Sequence, residues 1–264
     1  MTPILLTTGD LLLAGGLIAL CAILSIVLSL GIQRTLTIAA VRMAAQLVLT
    51  GSVLLFVFGR ASVWLTLSVL LVMFAAASYE VGSRQAVRLT PAWHFGIGGA
   101  STVVGTGIVV LVGLLTALQP HPWYAARTAI PMTGLLLGNV MNATSLAMNT
   151  LLSSVGRERM AIEARIILGA TRAEAMNSLI RQAIRTALIP TLNQMAAAGI
   201  ITLPGIMTGQ ILAGMNPLDA SKYQIVLMSL IVCGNMIGAT LSSILTAARL
   251  SDPRGRLRLD HLRL

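Results

Sequence analysis

The sequence predicts an all-α fold, a polytopic transmembrane helical bundle, and three observations predict it. Of the 264 residues 56% are hydrophobic and only 10% charged, with a mean hydropathy of +0.88; that is the composition of an integral membrane protein. Seven stretches are apolar enough to hold a span of about 20 residues: 10–31, 36–59, 62–81, 94–118, 129–155, 188–213 and 224–248. None alternates over about ten residues as strands of an outer-membrane barrel do. Finally, the basic residues are unevenly shared between the connecting segments. With the N-terminus outside, 14 of the 18 lie on the inner side, three (Arg60, Arg127, Lys222) lie outside, and Arg42 stands within a span. This is the positive-inside pattern. It expects one membrane domain over 1–264, with the C-terminus in the cytoplasm.

The first ten residues carry no Lys or Arg, so the first apolar run reads as a retained span rather than a cleavable signal. Cys21 and Cys233 fall inside spans, where a small packing residue is the default and a disulfide is not expected. In the second span Arg42 and Gln46 stand four apart and share a face. Two readings are open: Arg42 snorkels to the near interface, or it meets a carbonyl or an anionic group of a substrate. Glu80 and Arg84, also four apart, read as a structural pair at the inner end of the third span. The loop after the fourth span holds His121, Trp123 and Tyr124, which suit a loop residue and an interfacial aromatic belt.

The fifth span carries Asn139, Asn142, Ser145 and Asn149. At about 100° per residue they share a stripe about 120° wide. Amides facing lipid are costly, so the stripe expects a protein partner or a wet cavity. It reads either as a substrate pathway or as interhelical hydrogen-bonding glue, with Gly134 and Gly138 as small contact residues.

Gly156 to Ala187 is the charged interruption of the chain, with nine charged residues between two apolar stretches. It expects a water-exposed, helix-prone segment at 156–187. The sixth span holds Asn193 and Gln194, then Pro204 and Gly205. Pro204 removes a backbone donor and Gly205 loosens the turn, so a kink near mid-membrane is expected; that kink reads as a moving part or as plain distortion. After the seventh span, the segment 249–264 forms a basic cytoplasmic tail suited to anionic lipid, with no nucleic-acid role expected.

Several functions are excluded or disfavoured. A Walker A loop needs a lysine to reach the nucleotide phosphates, and the single lysine, Lys222, stands between Ser221 and Tyr223 on the outer side. The chain therefore binds no ATP or magnesium by that route. Its three histidines (His94, His121, His261) lie at or beyond span ends, and no His-Glu-x-x-His is present, so an enzyme is not expected. No cluster of His, Cys or carboxylates stands within the spans, so no stable metal site is expected. The 13 methionines read as gap fillers or as a hint of soft-metal handling.

Five stretches in order carry a resemblance: Ile130-Pro-Met-Thr-Gly with Gly138-Asn139, Leu168-Gly-Ala-Thr171, Leu188-Ile-Pro-Thr191, Leu203-Pro-Gly-Ile-Met207 with Gly209, and Gly214-Met-Asn-Pro-Leu-Asp-Ala-Ser-Lys-Tyr-Gln224. In these, and in Arg42 with Gln46, the chain resembles the FetB-like iron-export permease family, the membrane subunits of ABC transporters. The segment is also similar to the importer coupling loop Glu-Ala-Ala-x-x-x-Gly. Glu163-Ala164-Arg165-x-x-x-Gly169 keeps that spacing, with Arg165 in place of the second Ala and Gln182 where importers carry a Pro.

The resemblance implies a permease of the bacterial inner membrane that dimerises and binds a separate ATPase subunit, which holds the ATP and magnesium. It implies an ATPase-coupling role for Glu163, Arg165, Leu168, Gly169, Ala170 and Thr171. Asn139, Asn142, Ser145, Asn149, Asn193, Gln194, Arg42 and Gln46 become a substrate pathway, and Pro190, Pro204 and Gly205 a hinge. Iron export is the implied activity. The alternatives are another cargo, such as a sugar nucleotide or a different metal, or an ATP-independent channel or carrier; for 156–187 alone the alternative is an amphipathic helix lying on the membrane.

Overall fold

A backbone in lipid must satisfy its own hydrogen bonds, which leaves helices as the solution for runs this apolar. The computed structural model describes residues 7–60, 62–85, 87–89, 93–118, 124–250 and 262–263, and nearly all of these are helical. The chain forms two compact units, Met1–Ser62 and Val63–Leu264.

The first unit is a helical hairpin of α1 (Thr8–Val27) and α2 (Gln33–Gly59). Asp10 reaches back to the Thr7 backbone N–H at 2.7 Å and so closes a capping box at the start of α1. In the connection, Ser29 and Gly31 adopt left-handed backbone (φ 52° and 71°). Ser25, buried near the end of α1, ties the turn. Its hydroxyl accepts the Ile32 N–H at 3.3 Å and donates to Gln33 Oε1 at 3.4 Å. Arg42 and Gln46 stand one turn apart on α2, both exposed.

The second unit contains α3 (Val63–Ser83), β1 (Arg88–Leu89), α4 (Trp93–Val112) prolonged by a π-helical turn (Gly113–Leu118), α5 (Ala126–Arg157), α6 (Arg159–Ile167), α7 (Arg172–Ala197), α8 (Gly205–Leu212), α9 (Pro217–Arg249) and β2 (Leu262–Arg263). The two short strands pair antiparallel, with Arg88 opposite Arg263 and Leu89 opposite Leu262. Helix α5 is the centre of this unit: it packs on α3, α4 and α7, and most extensively on α9. Its Leu136, Val140, Met148, Leu151, Leu152 and Val155 are fully buried.

Where helices meet in a membrane, close packing of small residues replaces the hydrophobic drive. The crossing of α4, α5 and α9 is built this way. A Cβ on Gly105 of α4 would stand 3.1 Å from both the Gly234 carbonyl oxygen and the Gly238 nitrogen of α9. A Cβ on Gly238 would come within 2.7 Å of Thr144 Oγ1 on α5. Gly138, by contrast, faces open space, and the side chain nearest a Cβ on Gly134 is Met73 on α3. The helix-contact role expected of Gly134 and Gly138 thus belongs mainly to Gly105, Gly234 and Gly238.

Among the described residues five helices are long and apolar enough to cross a membrane: α1, α2, α3, α4 with its extension to Thr116, and α9. The expected count of about seven included two more stretches. The first, 129–155, lies inside α5, whose Asn, Ser and Thr residues lower its hydropathy; a helix enclosed by four others does not need an apolar surface all round. The second, 188–213, is not the single kinked helix expected. Helix α7 runs unbroken through Pro190 to Ala197, the chain leaves the helix over 198–204, and α8 begins at Gly205 with Pro204 as its N-cap. Gly199 (φ 86°) makes the break, its N–H donating to the Thr202 carbonyl at 2.8 Å. Proline at an N-cap needs no donor, which is why Pro204 starts a helix here instead of bending one.

The tail expected from 249 begins later than that, because Arg249 is the last residue of α9 and Leu250, its C-cap, is fully buried. The rest of the tail other than Leu262–Arg263, together with His121 and Trp123, lies outside the described residues. Glu80 and Arg84 form the expected pair at 3.0 Å.

Candidate functional site

The residues singled out from the sequence fall into two places in the second unit, an exposed elbow between α6 and α7 and a cleft among α5, α7 and α9.

The elbow follows from its local sequence. Leu168-Gly169-Ala170-Thr171 ends one helix and starts the next. Gly169 has φ 97°, its N–H donates to the Ile166 carbonyl, and the Ala170 N–H donates to the Arg165 carbonyl, both at 3.0 Å. That is a Schellman close, which needs a left-handed residue at the Gly169 position. Thr171 then caps α7. Its hydroxyl accepts the Glu174 N–H at 3.3 Å, and Glu174 Oε2 accepts the Thr171 N–H at 2.8 Å and hydroxyl at 2.7 Å. Those two donors hold the Glu174 carboxyl below its ordinary value, the hydroxyl contributing more.

Side chains lock the elbow further. Arg165 donates from Nη1 to the Ala175 carbonyl and to Ser178 Oγ, both at 3.2 Å, which clamps α6 onto α7. Glu163 pairs with Arg159 at 2.9 Å within α6. Both charged residues of the expected coupling set, Glu163 and Arg165, are therefore engaged inside the chain. Ile162 is 1% exposed and packs with Ala175, Met176 and Leu179. The opposite face is uncovered: Met160, Ile167 and Leu168 are 82%, 84% and 87% exposed, and Ala164 lies between them. The spacing i, i+4, i+7, i+8 makes these four one stripe. Of this stripe only Leu168 was singled out from the sequence as a coupling residue; Met160, Ala164 and Ile167, apolar at helical spacing from it, were the available signal.

The cleft has a volume of about 110 Å³ and is lined by Asn139, Asn142, Ala143 and Leu146 of α5, Ala187, Pro190, Thr191 and Gln194 of α7, and Asn235 of α9. That is ample for several waters. Asn139 Nδ2 donates to the Leu135 carbonyl at 2.8 Å. Asn235, 2% exposed, donates from Nδ2 to Thr191 Oγ1 at 2.7 Å, and its Oδ1 is buried without a hydrogen-bond partner. An unmet buried acceptor costs about 1–3 kcal/mol, so the cleft presents an acceptor ready for a water or a solute.

The stripe on α5 divides. Asn139 and Asn142 line the cleft, while Ser145 and Asn149 do not: the Ser145 carbonyl accepts from Nε2 of Gln85, just beyond the end of α3, at 3.4 Å, and the Ser145 Oγ and Asn149 Oδ1 are buried and unpartnered. On α7, Gln194 lines the cleft and Asn193, about 100° further round, is exposed elsewhere. Thr191 and Asn235 are additions that sequence reasoning did not make. A second concavity, of about 360 Å³, lies along α7 against Ser178, Arg181, Gln182, Arg185, Thr186 and Ile189. Among the described residues no group of three His, Cys, Asp or Glu side chains comes together.

Comparison with known proteins supplies the family. Residues 8–250 match the uncharacterised protein family UPF0014. The chain belongs to this family. Among its relatives is the UPF0014 membrane protein slr1647 of Synechocystis, 40% identical over 209 residues, 78% of each chain. The probable iron export permease protein FetB of Escherichia coli is 30% identical over 258 residues, 98% of this chain and 97% of that one. Protein ALUMINUM SENSITIVE 3 of Arabidopsis thaliana is 33% identical over 237 residues, 89% of this chain and 82% of that relative. No solved structure matches the chain. This UPF0014 member is accordingly a multi-pass membrane protein of a permease-containing family. Its motif stretches sit at joints of the fold: Leu168–Thr171 is the elbow, Leu188–Thr191 borders the cleft, and Leu203–Met207 starts α8. In the last stretch Gly214 turns left-handed (φ 95°) and Asn216 Oδ1 caps α9 by accepting the Leu218 N–H at 2.9 Å.

Proposed function

We propose that this chain is the membrane-spanning permease subunit of an ABC transporter, exporting iron across the inner membrane with energy from a separate ATPase subunit. The observation that carries the reading is the elbow. Its Met160–Ala164–Ile167–Leu168 stripe stands uncovered on a helix whose other face is anchored in the core by Ile162. An apolar helix face on a rigid mount suits insertion into a groove of a partner. Glu163, Arg165, Gly169, Ala170 and Thr171 then act by holding that stripe in place, with Leu168 in direct contact.

Movement of the elbow is carried along α7, because the helix is continuous from the Thr171 cap past Pro190 to Gln194 in the cleft. A homodimer fits the break at 198–204. Irregular backbone within an apolar stretch needs protein or a wet cavity around it, and Ile200, Ile201 and Leu203 are exposed there. In this reading Pro204 and Gly205 form the hinge, and the basic tail is cytoplasmic.

The name of the FetB relative supports iron as the cargo. With amides in the cleft, no carboxylate in its lining, and Arg181 and Arg185 along the same helix, the path suits a metal carried as a neutral or anionic complex better than a bare cation. The test is co-expression with candidate ATPase subunits, recovery of a complex in detergent, and ATP-dependent export of radioactive iron from proteoliposomes. Iron flux that needs no ATPase would establish a channel or carrier instead; ATP-dependent flux of another solute would keep the transporter and replace the cargo.

A further inference from the structure

We infer that the groove between the start of α4 and the end of α9 is a binding site for an anionic phospholipid. The groove, about 440 Å³, is lined by Trp93, Gly96, Ile97 and Ala100 of α4 and by Leu245, Ala248 and Arg249 of α9. Gly96, Ala100 and Ala248 leave space where larger side chains would fill it, and apart from Arg249 the lining is apolar, which suits the hydrocarbon of an acyl chain. It opens on the surface of two helices that are apolar enough to cross the membrane.

One end of the groove is polar. The Arg249 guanidinium lies over the Trp93 ring, 4.5 Å from its centroid. The ring takes one face of the cation and accepts no proton from its edge. Arg249 Nε is buried without a hydrogen-bond partner, and no carboxylate lines the groove. At this end of α4 the Leu89 carbonyl of β1 accepts from His94 Nδ1 at 2.8 Å, which ties the short strand to the helix start.

A cation stacked on a tryptophan at a helix end, above an apolar channel, is complementary to a phosphate joined to acyl chains. Tryptophan and arginine at this position are also the side chains expected at headgroup level. Basic pockets between transmembrane helices select anionic headgroups on these grounds. The site is separate from the amide cleft and from the elbow, and it does not depend on what the protein carries.

Native mass spectrometry of the full chain, released from micelles holding equal phosphatidylglycerol and phosphatidylcholine, tests the assignment. The expected result is retained phosphatidylglycerol in preference of about fivefold, the size one arginine at a lipid surface supplies. Arg249→Gln should remove the preference and Arg249→Lys should keep most of it. Ala100→Leu should expel the lipid with Arg249 intact. Thermal unfolding in the same detergent establishes that each variant is folded, and the Lys variant provides the comparison if the Gln variant is not. An unchanged preference in Arg249→Gln, or in Ala100→Leu, would overturn the proposal. So would a loss of dimer in Ala100→Leu with the lipid preference intact, which would assign the groove to a second copy.

Discussion

Asn235 of α9 and Thr191 of α7 are joined by a buried hydrogen bond, Nδ2 to Oγ1 at 2.7 Å, at the wall of the amide cleft. The bond separates two roles that the sequence leaves open for polar residues inside the spans. Thr191→Val leaves the Asn235 donor unmet and should cost about 1–3 kcal/mol. Adding Asn235→Leu removes the orphan and should restore much of the unfolding midpoint measured in detergent. If the amides are a pathway, the double variant stays stable and transports poorly; if they are glue, flux and stability recover together.

Leu168 and Met160 are exposed, so Leu168→Asp and Met160→Asp should change the unfolding free energy by no more than about 0.5 kcal/mol. Recovery of the ATPase subunit on affinity-tagged permease should fall at least severalfold. A large loss of stability with unchanged recovery would show that the stripe is covered by this chain.

Gly169 is held at φ 97° by the Schellman close. Gly169→Ala should destabilise by about 1–2 kcal/mol, the usual cost of a side chain in left-handed backbone, and Gly169→Asn by less. Thermal unfolding gives the order, and ATP-dependent transport should follow it.

Two glycines of the membrane helices should respond oppositely. Gly238→Ala drives a methyl to within 2.7 Å of Thr144 Oγ1 and should destabilise by about 1–3 kcal/mol. Gly138→Ala meets nothing and gains helix propensity, so it should be neutral or stabilising by up to about 1 kcal/mol. Unfolding midpoints of the two variants, read side by side, check this.

The capping carboxylate gives the elbow an acid limb. Because hydrogen bonds from Thr171 lower the Glu174 pKa in the folded chain, its contribution is present above the unfolded value of 4.5 and is lost as pH falls through the lower folded value. Hydrogen exchange at the start of α7 should therefore quicken in that acid range. Glu174→Gln should exchange faster at neutral pH and show little of the acid step.

The helical membrane class was legible because composition and span length act locally. Of the elbow only a water-exposed, helix-prone segment at 156–187 was expected, although Gly169 and the Thr171–Glu174 box are local signals of its turn. The break at 198–204 was not. Pro204 was visible, but a proline that bends a helix and one that starts a helix look alike until the path of the preceding residues is known, and Gly199 sets that path. Asn235 was passed over for a similar reason: a single amide in a long apolar run has no pattern, and it acquires one only opposite Thr191.

By itself the sequence determined that the chain is a helical membrane protein, that it carries no Walker lysine, and that its charge is concentrated at 156–187. These are sums over composition and short-range spacing. Tertiary structure alone decided which polar residues meet, since Asn139, Asn142, Thr191, Gln194 and Asn235 come from three helices and share no register in the chain. It decided as well which face of α6 is anchored and which is uncovered. Its apolar residues wind round both sides of the helix, and only the position of α7 assigns Ile162 to the core and leaves Leu168 outside it.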